Sequence, residues 1–166
     1  MQQPLFISHY AMINALGCDN QSIKRNLLAG SQEGIVINNT LFDEGPIYVG
    51  VVDAELPELT DRPLEFQTRN NQLAAHALEQ LREPVTELKK QYGAQRIAVI
   101  VGTSTSGIAQ GEQAMKTQQR DGLFPSEYHY LQQEMDNLAQ FIQSELGLEG
   151  VAFTLSTACS SSSKAF

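Results

Sequence analysis

From residue 65 onward the apolar positions recur at helical spacing. Leu73, Ala77, Leu78 and Leu81 share one stripe, with Asn70, Asn71 and Glu79 on the opposite face, which predicts an amphipathic helix. Pro84 is expected to divide it from a second helical piece that carries Val85, Leu88 and Tyr92 on one side and is closed by Gly93. Further along, after an irregular connection that begins at Phe124-Pro125, Leu131, Met135, Leu138, Ile142 and Leu146 trace another stripe, capped by Gly147.

Elsewhere the pattern is that of strands. Residues 5–15 are apolar and rich in β-formers; Asp19 then offers a cap for a short helix whose Ile23, Leu27 and Leu28 share a face before Gly30 ends it. Residues 35–37 and 47–52 predict the two strands of a hairpin, with Asn38-Asn39 and Asp43-Glu44-Gly45-Pro46 as turn residues. The run RIAVIV, residues 96–101, shows no alternation and suits a central strand buried on both faces. VAFTL, residues 151–155, reads as a last short strand. Helices alternating with apolar strands imply an α/β layered architecture with a largely buried sheet.

Two strand ends carry the chemistry. RIAVIV runs into GTSTSG, residues 102–107, a small-residue loop that leads into a helix through Ala114 and Met115. A P-loop needs Lys and Ser/Thr after its second glycine, and Ile108-Ala109 stand there instead, so a phosphate cradle is not indicated. VAFTL runs into STACSSSSKA, where small residues permit a sharp turn and Cys159 stands at the expected start of a helix. A helix N-terminus supplies unpaired backbone N–H groups and roughly half a positive charge, a setting in which thiols act as nucleophiles. The turn's backbone N–H is also suited to donate to the oxyanion of a thioester under attack, so the arrangement fits acyl transfer. Serine hydrolases use the same logic through G-x-S-x-G, a pattern this sequence lacks. Only seven residues follow Cys159, too few for a stable helix packed back on a sheet. The competing reading of Cys159 is a small core residue beside a serine-rich tail.

Composition narrows the classes. The 166 residues are 42% hydrophobic and 18% charged, which is globular and sized for one domain. A net charge of −8, with no basic cluster among the aromatics, argues against nucleic acid as a partner. The N-terminus has no basic segment ahead of its apolar stretch, and no run approaches the roughly 18 apolar residues of a membrane span, so a cytoplasmic protein without a membrane partner is expected. Cys18 and Cys159 match neither a disulfide framework nor paired metal-ligand spacing; no metal is expected, and Cys18 reads as a buried inert thiol. His9 on a predicted strand, His76 among helical alanines and His129 between two tyrosines form no recognisable dyad with Cys159.

STACSSSSKA resembles the active-site stretch of the β-ketoacyl synthases, the condensing enzymes of fatty-acid and polyketide assembly. LFISHYAMINALG with the following NLLAGSQEGI is similar to the family's first strand, Leu-Gly turn and first helix, and RIAVIVGTSTSG to the strand and glycine-bordered loop that precede the cysteine. The resemblance covers essentially the whole chain, with three motifs in the family's order. The resemblance implies an α/β fold, the N-terminal half of a thiolase-like αβαβα layered sandwich with a mixed, largely buried sheet. Residues 1–166 would then be one N-terminal half-domain, with the C-terminal half outside this sequence.

The resemblance further implies that Cys159 is the nucleophile that takes an acyl group from an acyl carrier protein, with its own backbone N–H as an oxyanion donor. Thr105 would line the acyl pocket, either of its own subunit or of the partner across a dimer interface. Substrates would ride on the carrier protein's phosphopantetheine and no cofactor would be bound. The family's decarboxylating histidines lie in the C-terminal half, so His9, His76 and His129 do not replace them, and the 166 residues alone are expected at most to become acylated. The strand VAFTL would pair with its mate across a homodimer, or a heterodimer with a ketosynthase-like subunit. Three alternatives remain. One is a non-catalytic ketosynthase-like partner, which usually lacks the cysteine; another is a thiolase-fold enzyme acting on acyl-CoA without decarboxylation. The third is an α/β binding module with an incidental thiol.

Overall fold

A computed structural model describes residues 5–42 and 44–166, so Asp43 of the expected turn lies outside the described residues. The chain divides into two compact units, one of residues 1–56 with 76–81 and one of residues 57–75 with 82–166.

In the first unit, α1 (Asn20–Leu28) starts where Asp19 accepts hydrogen bonds from the N–H groups of Gln21 and Ser22, at 2.8 and 2.9 Å. These are donors that the first helical turn leaves without partners. Ile23 is buried as expected, but Leu27 and Leu28 are exposed. β1 (Ile35–Asn38) and β2 (Ile47–Gly50) form the anticipated antiparallel hairpin, with Val36 opposite Val49. Asn38 closes β1 by accepting from the N–H groups of Thr40 and Leu41. The strand expected at residues 5–15 is not found: residues 5–13 are irregular, with Leu5, Phe6 and Ile7 largely exposed, and the segment gains only an isolated bridge between Asn14 and Gly17. β-propensity fits a residue to a ladder but does not provide one, and this run has no neighbouring strand among the described residues. Cys18 is half-buried, its thiol donating to the Asp53 carbonyl at 3.4 Å.

Helix α2 (Arg69–Glu79) begins in the second unit, and its last turn is grouped with the first. It ends well before Pro84, which lies instead inside the first turn of α3 (Arg82–Tyr92), where a missing N–H costs no helical bond. β3 (Val99–Gly102) and β4 (Ala152–Leu155) form a parallel pair, with Val99 opposite Ala152 and Gly102 opposite Leu155. α4 (Ile108–Asp121) follows β3, α5 (Asn137–Leu146) precedes β4, and α6 (Ser161–Lys164) is one turn after it. The core lies where α5 meets the sheet: Val99, Ala139 and Leu148 are buried, with Val85, Ile97, Val101, Ile142, Leu146 and Ala152 packed around them. The β3–β4 pair is covered on one side only, since Ile100 and Phe153 are 44% and 37% exposed, whereas RIAVIV predicted burial on both faces.

Two polar features hold the second unit together. Asn71, expected on the solvent face of α2, is fully buried; its Nδ2 donates to Asn137 Oδ1 at 2.8 Å and to the Phe66 carbonyl at 3.0 Å. Asn137 Nδ2 in turn donates to the carbonyls of Glu65 and Leu131. The stripe read as helical from Leu131 is therefore interrupted. Residues Tyr130–Gln133 form a tight 3₁₀ turn, Leu131 and Met135 are exposed, and α5 starts at Asn137. Glu145, nearly buried, pairs with Arg62 and Arg82, each at 3.0 Å. Beside it Phe141 is buried edge-on against Phe66, centroids 5.7 Å apart.

Candidate functional site

The carboxyl ends of β3 and β4 lie side by side, because the strands are parallel and in register up to Gly102 and Leu155. That edge is where open parallel sheets expose loops able to carry chemistry. Thr105 stands three residues beyond the end of β3 and Cys159 four beyond the end of β4, so the topology brings both predicted residues to one edge. Both are exposed.

The turn that presents Cys159 is tight. Ala158 has φ +53°, the one non-glycine residue with positive φ among those described. Alanine disfavours this conformation because its Cβ crowds the following carbonyl, so something must hold it there. Hydroxyls do so: Ser161 Oγ accepts from the Thr157 N–H at 2.9 Å and donates to the Ala158 carbonyl at 2.7 Å, and Ser160 Oγ donates to the Thr157 carbonyl at 3.0 Å. The serine run is thus not a tail. Its first members wire the turn, and the helix expected after Cys159 is a single turn, Ser161–Lys164.

Gly102 joins this turn to β3. A Cβ there would fall 2.5 Å from the Ser161 carbonyl oxygen and 2.6 Å from Ser162 Cα, while Ser162 Oγ donates to the Gly102 carbonyl at 3.3 Å. The glycine is needed for close approach of two backbones, a role that its place in a small-residue loop does not by itself reveal.

The loop of residues 103–107 is fastened at both ends. The Thr103 N–H donates to the Leu155 carbonyl at 3.2 Å, and Thr103 Oγ1 donates to the Thr105 carbonyl. At the far end the Gly107 N–H donates to the Gln132 carbonyl at 3.0 Å, and Ser106 Oγ donates to the Gln133 carbonyl. Gln132 is itself 1% exposed: its Nε2 donates to the Leu64 carbonyl at 3.0 Å and reaches those of Gln67 and Glu127, and its Oε1 accepts from the His129 N–H. Gln132 is not among the apolar positions by which the sequence marks a helix here, so its burial is not expected from that pattern. Behind the loop, a cleft of about 390 Å³ between α4 and residues 125–132 is lined by Ala109, Gln113, Ala114, Thr117, Tyr128 and Gln132, among others, and includes neither Cys159 nor Thr105.

The histidines have other settings. His129 Nδ1 accepts from the Leu131 N–H at the start of the 3₁₀ turn. His9, expected on a strand, lies in the irregular N-terminal segment next to the Ser8 hydroxyl. His76 is in α2, in the stretch grouped with the first unit. Among the described residues no group of His, Cys, Asp and Glu is arranged to hold a metal ion, and no helix is long and apolar enough to cross a membrane.

Residues 11–166 match the family described as β-ketoacyl synthase, N-terminal domain. Among solved structures, the chain is similar to a chain of the ketosynthase ApeO in complex with its chain length factor ApeC from Xenorhabdus doucetiae. The identity is 42% and the TM-score 0.89, over 96% of this chain and 41% of that one. The chain thus spans about two fifths of that relative's length. No curated protein matches it. With the thiolase-like fold and the order of strand, glycine-bordered loop, strand and cysteine turn all in place, the chain belongs to the β-ketoacyl synthase family.

Proposed function

We propose that Cys159 is the nucleophile of a β-ketoacyl-acyl-carrier-protein synthase. The observation that carries this is the exposed thiol on a strained turn at the end of β4, inside the matched β-ketoacyl synthase N-terminal domain. In the first stage the Cys159 sulfur attacks the carbonyl carbon of an acyl thioester held on the phosphopantetheine of an acyl carrier protein. The carrier thiolate leaves, and the acyl group is transferred to the enzyme. The Cys159 backbone N–H donates to the oxyanion as it forms, a contribution whose loss typically costs about 10² to 10³ in rate. In the second stage a malonyl carrier thioester loses carbon dioxide. Its enolate carbon then attacks the Cys159 thioester, a C–C bond forms, the C–S bond breaks, and a β-ketoacyl carrier thioester two carbons longer departs. No bound cofactor is required, and Thr105 borders the path of the acyl chain.

The test is to incubate the full chain with an acyl-loaded carrier protein and measure intact mass. An adduct of the acyl mass on Cys159, absent from Cys159→Ala, is expected; no adduct, or one retained by the variant, overturns the reading.

A second reading concerns assembly. The similarity to a chain from a complex of ketosynthase and chain length factor favours a dimer with a ketosynthase-like subunit over a homodimer. Within such a pair, the cysteine favours the catalytic over the non-catalytic role. If the chain is a scaffold, Cys159→Ala will leave the activity of its companion intact.

A further inference from the structure

Ser161 lies within the turn that carries Cys159, is 2% exposed, and has no part in the acyl-transfer chemistry proposed above. Its hydroxyl bridges the peptide groups on either side of the Thr157-Ala158 pair that precedes the cysteine, accepting from the Thr157 N–H at 2.9 Å and donating to the Ala158 carbonyl at 2.7 Å. Its own N–H donates to the same carbonyl at 3.1 Å. Between the two bonds of the hydroxyl stands Ala158, at φ +53°. Ser160 and Ser162 also bond nearby backbone, but both are exposed, so water can take over their bonds. The buried Ser161 hydroxyl has no such substitute.

We propose that Ser161 is a positioning residue for Cys159. Its hydroxyl holds Ala158 in the left-handed conformation and thereby fixes the Cys159 sulfur and backbone N–H relative to each other and to the end of β4. The proposal rests on the reading of Cys159 as the nucleophile. Ser161 touches no reacting atom; it acts through the backbone, as the support beneath a reactive group must. A carbonyl carbon attacked by the sulfur must place its oxygen on the N–H at the same moment, so a small change in the turn is felt strongly in acyl transfer.

The experiment pairs two readouts on the full chain. Ser161→Ala is expected to slow acylation of Cys159 by a loaded carrier protein roughly 10- to 100-fold, as misplacement by about an ångström does. Alkylation of Cys159 by iodoacetamide, which needs no oxyanion donor, should stay within about twofold of the parent rate. Ser161→Thr, which keeps the hydroxyl, should recover acylation. Independently of activity, Ser161→Ala should lower the melting temperature, and adding Ala158→Gly should recover most of the loss, because glycine needs no support at positive φ. Acylation at the parent rate in Ser161→Ala, or failure of Ala158→Gly to restore melting or folding, overturns the proposal. If the parent chain takes no acyl group at Cys159, the nucleophile reading falls, and the melting comparison alone decides whether Ser161 holds the turn.

Discussion

The loop after β3 and the turn after β4 leave the same edge of one parallel pair, yet they are held by different means. The loop has a glycine at each end and one internal tie through the Thr103 hydroxyl, but both its ends are fastened by groups from elsewhere: the Leu155 carbonyl at one end, and the Gln132 and Gln133 carbonyls at the other. The turn has no glycine. It keeps Ala158 in a conformation that alanine disfavours, through hydroxyls two to four residues away in sequence. Removing a side chain lets a backbone approach its neighbour, whereas adding a hydroxyl ties a backbone to itself. The ends of the loop therefore depend on the scaffold behind it, while the turn carries its main constraint within itself, close to the nucleophile.

The strongest way to break this contrast is to remove the loop's distant support. Gln132→Leu deletes a buried amide whose Nε2 serves carbonyls of Leu64, Gln67 and Glu127 and whose Oε1 serves the His129 N–H. Each buried group left without a partner costs about 1–3 kcal/mol, so a loss of roughly 3 kcal/mol or more is expected in urea unfolding. Conserving the amide but changing its reach, as in Gln132→Asn, should lose most of the same energy. If the groups that Gln132 serves find other partners, both variants will unfold close to the parent midpoint.

Gln132 also shows what could and could not be read from the sequence. The Asp19 cap, the hairpin, the Gly147 helix stop and the strand delivering Cys159 were legible, because each depends on residues close together in the chain. Asn71, Gln132 and Asn137 were not. Their burial is stabilised by carbonyls 5 to 72 residues away, and hydropathy scores an amide the same whether or not those acceptors exist. Residues 5–15 failed for a related reason, since apolar β-formers do not supply their own ladder. At the site, Cys159 stood out through its motif, but Gly102 read only as a loop residue. Its role is visible once Ser161 and Ser162 are seen against it.

A sharper test applies one exchange in both directions. Gly107→Ala places a Cβ on the Gln132 carbonyl and 2.8 Å from Thr68 Cγ2, and Gly102→Ala places one 2.5 Å from the Ser161 carbonyl. These neighbours are mostly backbone and cannot rotate away, so each change should cost about 1–3 kcal/mol. Ala158→Gly should do the opposite. It relieves a left-handed penalty of roughly 1–2 kcal/mol and loses about 0.5–1 kcal/mol in backbone entropy, for a net gain between about 0 and 1.5 kcal/mol. Opposite signs in the same denaturation assay support two distinct devices. Equal destabilisation would mean that the turn, like the loop, depends on its surroundings.

The smallest effect concerns how helices begin. α4 and α6, which leave the site edge, start without a side-chain cap, whereas α1 is capped by Asp19. Hydrogen bonds from the Ser22 N–H, the Ser22 hydroxyl and then the Gln21 N–H, together with nearby Arg25, hold the Asp19 carboxyl below the ordinary aspartate range. A carboxylate whose folded pKa is depressed adds stability that is fully present above its unfolded value and is lost as pH falls through the lower folded value. Asp19→Ala should therefore lower the melting temperature modestly at neutral pH, and its deficit relative to the parent should shrink as the solution is taken below about pH 4. Variants at Gly107 or Ala158 carry no titrating group into their turns, so their offsets from the parent should keep the same size across that range. An Asp19→Ala deficit that stays constant down to pH 2 would show that the aspartate acts through shape rather than charge.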